Sequence, residues 1–188
     1  TNDIVATPIG GMALGETFYR TSDLILDDRT MGSERVGREI AAFIVSPMRG
    51  LTRIINGDAW RHRSTSGRQF GIPDVCIAIS VGARALEFKD DIFDRGMGIA
   101  SEIALEYGDR FNTEHEKPYD FFTMNVGLNL QKSQPMLGQV NLVGRIWNRE
   151  LVEKPDMVLN GGIYQHFDFY DSNVISDVSS IVPYKIAI

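Results

Sequence analysis

From Val75 to Ile188 apolar residues alternate with small or polar ones, segment after segment. Tyr119–Gln131 shows the alternation most cleanly. Phe122, Met124, Val126, Leu128 and Leu130 fall on one side, and Thr123, Asn125, Gly127, Asn129 and Gln131 on the other. Successive strand side chains point to opposite faces, so this pattern predicts a sheet with one greasy and one wet face. Six long strands are expected, at about Val75–Phe88, Gly96–Phe111, Pro118–Gln131, Met136–Val152, Asp156–Tyr170 and Val174–Ile188. Turn-like links such as Lys89-Asp90-Asp91, Lys132-Ser133-Gln134-Pro135, Glu153-Lys154-Pro155 and Asp171-Ser172-Asn173 join them. Links this short connect antiparallel neighbours.

The period before Val75 is helical. Thr7-Pro8 is expected to open a first helix reaching about Asp28, since Thr can cap and Pro suits the first helical position. Gly11 and Gly15 share one face of it, flat enough to press against a sheet wall. Ser33 is expected to cap a second helix, with Val36, Ile40, Phe43 and Ile44 as its apolar stripe. Ser46-Pro47 begins a third, in which Met48, Leu51, Ile54 and Ile55 face inward. Trp60 to Phe70 is basic and rich in Ser and Gly, an exposed connector. The chain therefore divides into a helical plug or cap, 1–68, and an antiparallel wall, 69–188. The class is α+β: short helices followed by an up-and-down β-barrel, or part of one, of about six strands.

Three features turn the wall toward a membrane. Strands of about 14 residues exceed the roughly 5–6 of soluble sheets and exceed the about 9–11 a tilted bilayer-crossing strand needs. Arg84, Glu102, Glu106, Asn125, Asn129 and Arg145 gather on the wet face, as the lining of a hydrated lumen would. Tyr107, Phe111, Tyr119, Phe121, Phe122, Phe167, Phe169 and Tyr170 lie near strand ends, where interfacial girdles put aromatics. The competing architecture is a soluble lipid-binding barrel with its apolar face inward. Alternation alone does not choose between them.

Composition narrows the field. The 188 residues are 43% hydrophobic, and no window holds the roughly 18 apolar residues of a spanning helix. Of the net −6 charge, residues 71–188 hold ten basic against seventeen acidic side chains, a poor nucleic-acid surface. The first 70 residues contain nine Arg, no Lys and eight acids. Arg35, Arg38, Arg49, Arg53, Arg61, Arg63 and Arg68 read either as solvated helix faces or as partners for carboxylates or lipid head groups. Cys76, the lone cysteine, excludes an intrachain disulfide and reads as a buried strand residue. The first residue is Thr1 and no signal peptide is visible, so the chain reads as a piece of a longer protein.

The blocks NDIVATPIGGMALGE (2–16), YRTSDLILDDR (19–29), GSERVGREIAAFIVSPMRGLTR (32–53), EYGD (106–109), EKPYD (116–120) and YQHFDF (164–169) resemble a bacterial envelope family. It is a domain-of-unknown-function family, number three-nine-four-three. The resemblance implies an exported protein of the outer membrane of a Gram-negative bacterium, with further barrel strands beyond Ile188. It carries no established activity and transfers no catalytic residue.

Chemistry is sparse. Tyr164, His166 and Asp168 share a strand face, and Ser176 and Ser180 follow in the next strand. That grouping is the weak catalytic candidate, a lipid-modifying hydrolase using His166 with Asp168. No Ser sits in a Gly-x-Ser-x-Gly elbow. Glu102 and Glu106 are separated by roughly 13 Å along a strand, wider than the about 5–9.5 Å of paired glycosidase carboxylates. Arg84 or Arg145, or the arginines of the helices, are the expected salt-bridge partners of these glutamates. His62, His115 and His166 lack metal-ligand spacing, and the Gly-rich stretches lack the Lys of a phosphate loop. The expectation is a structural, transport or docking role without enzymatic activity. The expected partners are membrane lipid and periplasmic proteins, with no cofactor, metal or nucleic acid.

Overall fold

The computed structural model describes residues 2–86, 96–111, 117–130, 134–154, 157–172, 176–181 and 184–187, with side chains for 7–83, 98–111, 117–130, 134–152, 159–172 and 177–179. Three helices, α1 (Asn2–Ile25), α2 (Gly32–Val45) and α3 (Pro47–Ile55), precede seven strands. These are β1 (Val75–Leu86), β2 (Gly96–Tyr107), β3 (Phe122–Leu130), β4 (Leu137–Lys154), β5 (Met157–Asp171), β6 (Ser176–Ile181) and β7 (Tyr184–Ala187). The α+β class holds. Every pairing is antiparallel, in the order β1-β2-β3-β4-β5-β6, with β7 also on β5. Among the described residues the sheet is not closed: β1 pairs with β2 alone. The expected last strand is two. β6 runs beside His166–Asp171 and β7 beside Asn160–Ile163, and the sequence between them contains Pro183, which has no N–H to donate to a ladder.

The chain forms two compact units, one of residues 1–13 with 74–188 and one of Leu14–Pro73. In the sheet unit, the register carries the predicted apolar row across the strands. Ile77 pairs with Leu105, Leu105 with Met124, Met124 with Leu142, and Leu142 with Phe167. Toward β3–β5 this row is a true core: Leu105, Tyr107, Phe122, Met124, Leu142 and Phe167 are buried. The rings of Tyr107 and Phe122 stack 4.7 Å apart. The first half of α1 lies on this row. Gln165 Nε2 donates to the Ile9 carbonyl at 2.6 Å. Gly10 comes so close to Phe167 that a Cβ there would sit 2.6 Å from a ring carbon. The pressed glycine is Gly10. Gly11, expected to meet a wall, faces open space, as does Gly15. Nor does Thr7-Pro8 open the helix: α1 begins at Asn2 and Pro8 lies inside it. A plug in a hydrated lumen would meet the polar face, and the start of α1 meets the apolar one.

Toward β1 the same row is bare. Ile77, Ile79 and Val81 are 63%, 69% and 71% exposed. Cys76 is exposed too, which corrects its expected burial. Among the described residues its strand has a neighbour on one side only. The aromatic girdle is also corrected in part. Tyr107, Tyr119, Phe121, Phe122 and Phe167 are buried, whereas Phe111 and Tyr170 are exposed.

The helical unit is built inside out. Several of its charged groups are gathered inside. Asp23 and Asp28, at the end of α1 and just after it, are about 1% exposed, and Arg49 is 8%. Asp23 accepts from Arg49 Nη2 and from the backbone N–H groups of Gln69 (2.9 Å) and Phe70 (3.2 Å). Asp28 accepts from Arg53 Nη2 at 2.5 Å, and Glu39 accepts from the same nitrogen at 2.8 Å. Arg35 donates to five carbonyls: Asp28, Thr30, Asp58, Ala59 and Arg61. The expected stripes of α2 and α3 point the other way. Val36, Ile40, Phe43, Ile44, Met48, Leu51, Ile54 and Ile55 are all exposed, three of them to 74%. The expectation that α3 turns these residues inward is thus reversed, because two buried carboxylates claim Arg49 and Arg53 from its opposite side. α2 is preceded by Met31 at the cap position, without a side-chain cap, and Ser33 lies inside the helix. α2 and α3 cross at Gly50, where a Cβ would meet the Phe43 backbone at 2.9 Å. The connector after Trp60 is exposed as expected, with Arg68 reaching back to the Leu24 and Leu26 carbonyls at the end of α1.

Candidate functional site on the polar face

The polar residues of the sheet separate into an open cleft and a sealed end. The cleft, about 390 Å3, is lined by Ser80, Glu102, Asn129, Gln139, Tyr170 and Ser172 together with small residues such as Gly82, Ala100 and Gly127. The small side chains opposite Glu102 leave the space: its register partners are Ser80 and Gly127. Glu102 is exposed, and Asn129 donates to the Pro135 carbonyl at 3.3 Å. Two of the predicted lining residues therefore meet here. Asn125 pairs with Ala104 and Asn141 farther along the same face. The backbone of Arg84 pairs with Gly98, and its side chain lies outside the described residues.

Arg145 is at the sealed end. Its side chain is 3% exposed, and it donates from Nε to Asp120 at 2.8 Å and from Nη1 to the Arg110 carbonyl at 3.1 Å. Glu106 pairs with Arg110 at 3.8 Å rather than with Arg145. The EYGD and EKPYD blocks converge here. Tyr107 stacks on Phe122. Gly108 takes φ +80°, and a Cβ there would run into the backbone of Asp120. Tyr119 holds φ +64°, an uncommon conformation for a residue with a Cβ. Its hydroxyl donates to Gln165, and its N–H donates to the Arg145 carbonyl at 2.6 Å. This is a rigid, charge-compensated closure. The guanidinium is occupied by partners and is not poised for a substrate. Reasoning from alternation placed Arg145 on the right face and missed Asp120, whose partnership depends on a turn that periodicity does not encode.

The register places the members of the weak catalytic grouping on neighbouring strands, β5 and β6. Tyr164, His166 and Asp168 alternate along β5 as predicted, and Asp168 accepts from Asn141 Nδ2 at 2.7 Å. In register His166 meets Val143 and Ile181, whereas Ser180 meets Phe167 and Ser176 meets Asp171. Neither serine is opposite His166, and their side chains lie outside the described residues. Among the described residues no group of three His, Cys, Asp or Glu is placed to hold a metal ion.

Two charged groups of the helical unit are perturbed by their partners. Burial opposes the charge of Arg53, and hydrogen bonds to Glu39 and Asp28 outweigh it, raising its pKa above the usual arginine value. The Arg29 side chain, then its backbone N–H, holds the Asp27 carboxyl well below the usual carboxylate range. Both are ion-pair effects in which acid and base neutralise one another, and neither marks a poised acid or base. No curated protein and no solved structure matches the chain. Residues 1–48, which span α1, α2 and the first residues of α3 and supply Asp23, Asp28, Arg35 and Glu39 to the buried charge cluster, match the family model of the domain of unknown function DUF3943, the family the sequence resembles.

Proposed function

We propose that the sheet is part of the wall of a β-barrel-type protein of the outer membrane of a Gram-negative bacterium, with a structural, transport or docking role. The observation that carries this reading is the bare apolar row. Ile77, Ile79, Val81 and Ile99 stand exposed on β1 and β2, strands of 12 residues whose other face is small and polar. Such a row is costly against water and at home against acyl chains. A wall in lipid leaves no backbone edge unpaired, so the free edge of β1 requires further strands or another chain beside it. The cleft with Glu102 and Asn129 then faces water, and side chains lining it would set what passes or docks.

Fractionation tests the proposal. The full-length protein should co-sediment with outer membranes, resist carbonate washing and require detergent for extraction. Release by carbonate alone overturns it. A soluble lipid-binding α+β protein is the second reading, favoured by Phe122 and Leu142, which are almost wholly buried on the apolar row. It predicts a monodisperse protein without detergent. Conductance across planar bilayers separates a pore from a docking platform.

A further inference from the structure

We propose that α2 and α3 form a lipid-facing hairpin that lies in the membrane interface, with the exposed apolar stripe in the acyl region and the arginine–carboxylate cluster behind it. The observation is independent of the sheet and stands or falls apart from the wall reading. In water, an amphipathic helix turns its apolar stripe inward. Here the stripe is outward on both helices, and Ile44, Met48, Ile55 and the adjoining Trp60 are each 74% exposed. Val36, Ile40, Phe43, Leu51 and Ile54 are exposed beside them, and an exposed apolar patch of more than a few hundred Å2 marks a protein or membrane contact.

The charged side explains why this patch fits lipid better than a protein partner. A protein interface surrounds its apolar centre with polar groups that bond across it. In this hairpin the two charged side chains beside the α2 stripe, Arg35 and Glu39, are 11% and 18% exposed and already occupied. Arg35 is spent on five carbonyls, and Glu39 on Arg53. Internal satisfaction of the charged groups beside an apolar face suits a medium without water. The edge of the patch has the chemistry of a membrane boundary: Trp60 is followed by Arg61, whose side chain is 64% exposed. An indole beside a guanidinium suits the headgroup layer, where anionic lipid attracts the charge. Length fixes the orientation. α2 has 14 residues and α3 nine, about 21 and 14 Å at the helical rise, each short of the roughly 30 Å hydrocarbon core. Both must lie along the surface rather than cross it.

The two tryptophans separate this inference from the wall reading. Trp60 reports on the hairpin and Trp147, exposed on β4 opposite Ile163, reports on the sheet. The full chain is reconstituted in vesicles of phosphatidylcholine and phosphatidylglycerol, with and without brominated acyl chains, as the Trp147→Phe and the Trp60→Phe variant. The hairpin inference expects a blue-shifted Trp60 whose emission is lost to bromolipid and spared by aqueous iodide. Added Ile44→Asp and Ile55→Asp substitutions should restore emission in bromolipid. If Trp60 is quenched by iodide and spared by bromolipid, the hairpin faces water and the inference is overturned, whatever Trp147 does. If it is spared by both, protein covers the patch and the inference is likewise overturned. Loss of Trp147 emission to bromolipid supports the wall reading, and its absence counts against the wall alone.

Discussion

Arg49→Met and Asp23→Ala should destabilise the helical unit by unequal amounts, and the inequality follows from the hydrogen bonds. The two side chains are 7% and 2% exposed, and each neutralises the other. Removing one partner of a buried pair leaves an uncompensated charge, at a cost of about 3–5 kcal/mol. In Arg49→Met, the Asp23 carboxylate keeps the backbone N–H groups of Gln69 and Phe70, which places the cost near the lower end. In Asp23→Ala those two donors lose their acceptor as well. At about 1 kcal/mol or more for each orphaned group, the variant should be about 2 kcal/mol worse than Arg49→Met. The double variant removes both charges and should cost less than the two singles added, by about 2–3 kcal/mol. Urea unfolding read by Trp60 emission in a Trp147→Phe background confines the measurement to this unit. Additivity within about 0.5 kcal/mol, or equal costs for the two singles, would refute the buried-pair account.

Neighbouring glycines should respond with opposite sign. Ala for Gly in a helix gains roughly 1 kcal/mol, so Gly11→Ala, with open space around it, should raise the thermal midpoint. Gly10→Ala drives a Cβ into buried Phe167, and overpacking of about 1–3 kcal/mol cancels or exceeds that gain. A gain at Gly10 equal to that at Gly11 would mean that α1 does not rest on Phe167. Asp27 supplies a pH signature. Its folded pKa is depressed below the ordinary 3.8, so its contribution is complete above that value and is lost as pH falls below it. The difference in urea midpoint between the native protein and Asp27→Asn should therefore be constant near neutrality and shrink below about pH 4. A difference that does not change with acid removes the Arg29 pair from the account. Lipid turnover by the native protein that His166→Ala abolishes would assign a hydrolase role to His166, and turnover that is absent or unchanged in the variant removes that role.

Local pattern was enough to read the sheet. Alternation between 75 and 188 carries strand direction, antiparallel order and face membership, because side chains on a strand repeat every two residues whatever surrounds them. The helices after residue 32 were equally legible, and so was the exposed connector after Trp60. Pattern could not say which medium each face meets. A helix with Ile40, Ile44 and Phe43 on one side and Arg35 and Glu39 on the other is amphipathic either way. Its orientation was settled by distant carbonyls that take Arg35 and by Arg53, which is itself held by Asp28 and takes Glu39. The apolar row of the sheet was one row in sequence and became two surfaces in space, covered where α1 lies near Phe167 and bare along β1. Coverage depends on which distant segment folds back, and periodicity holds no record of that. The Arg145–Asp120 closure, made across a turn by a residue at positive φ and a glycine that admits the backbone, arises from the same source. Short-range repetition specifies the elements. Long-range pairing of charge and bulk chooses their surroundings.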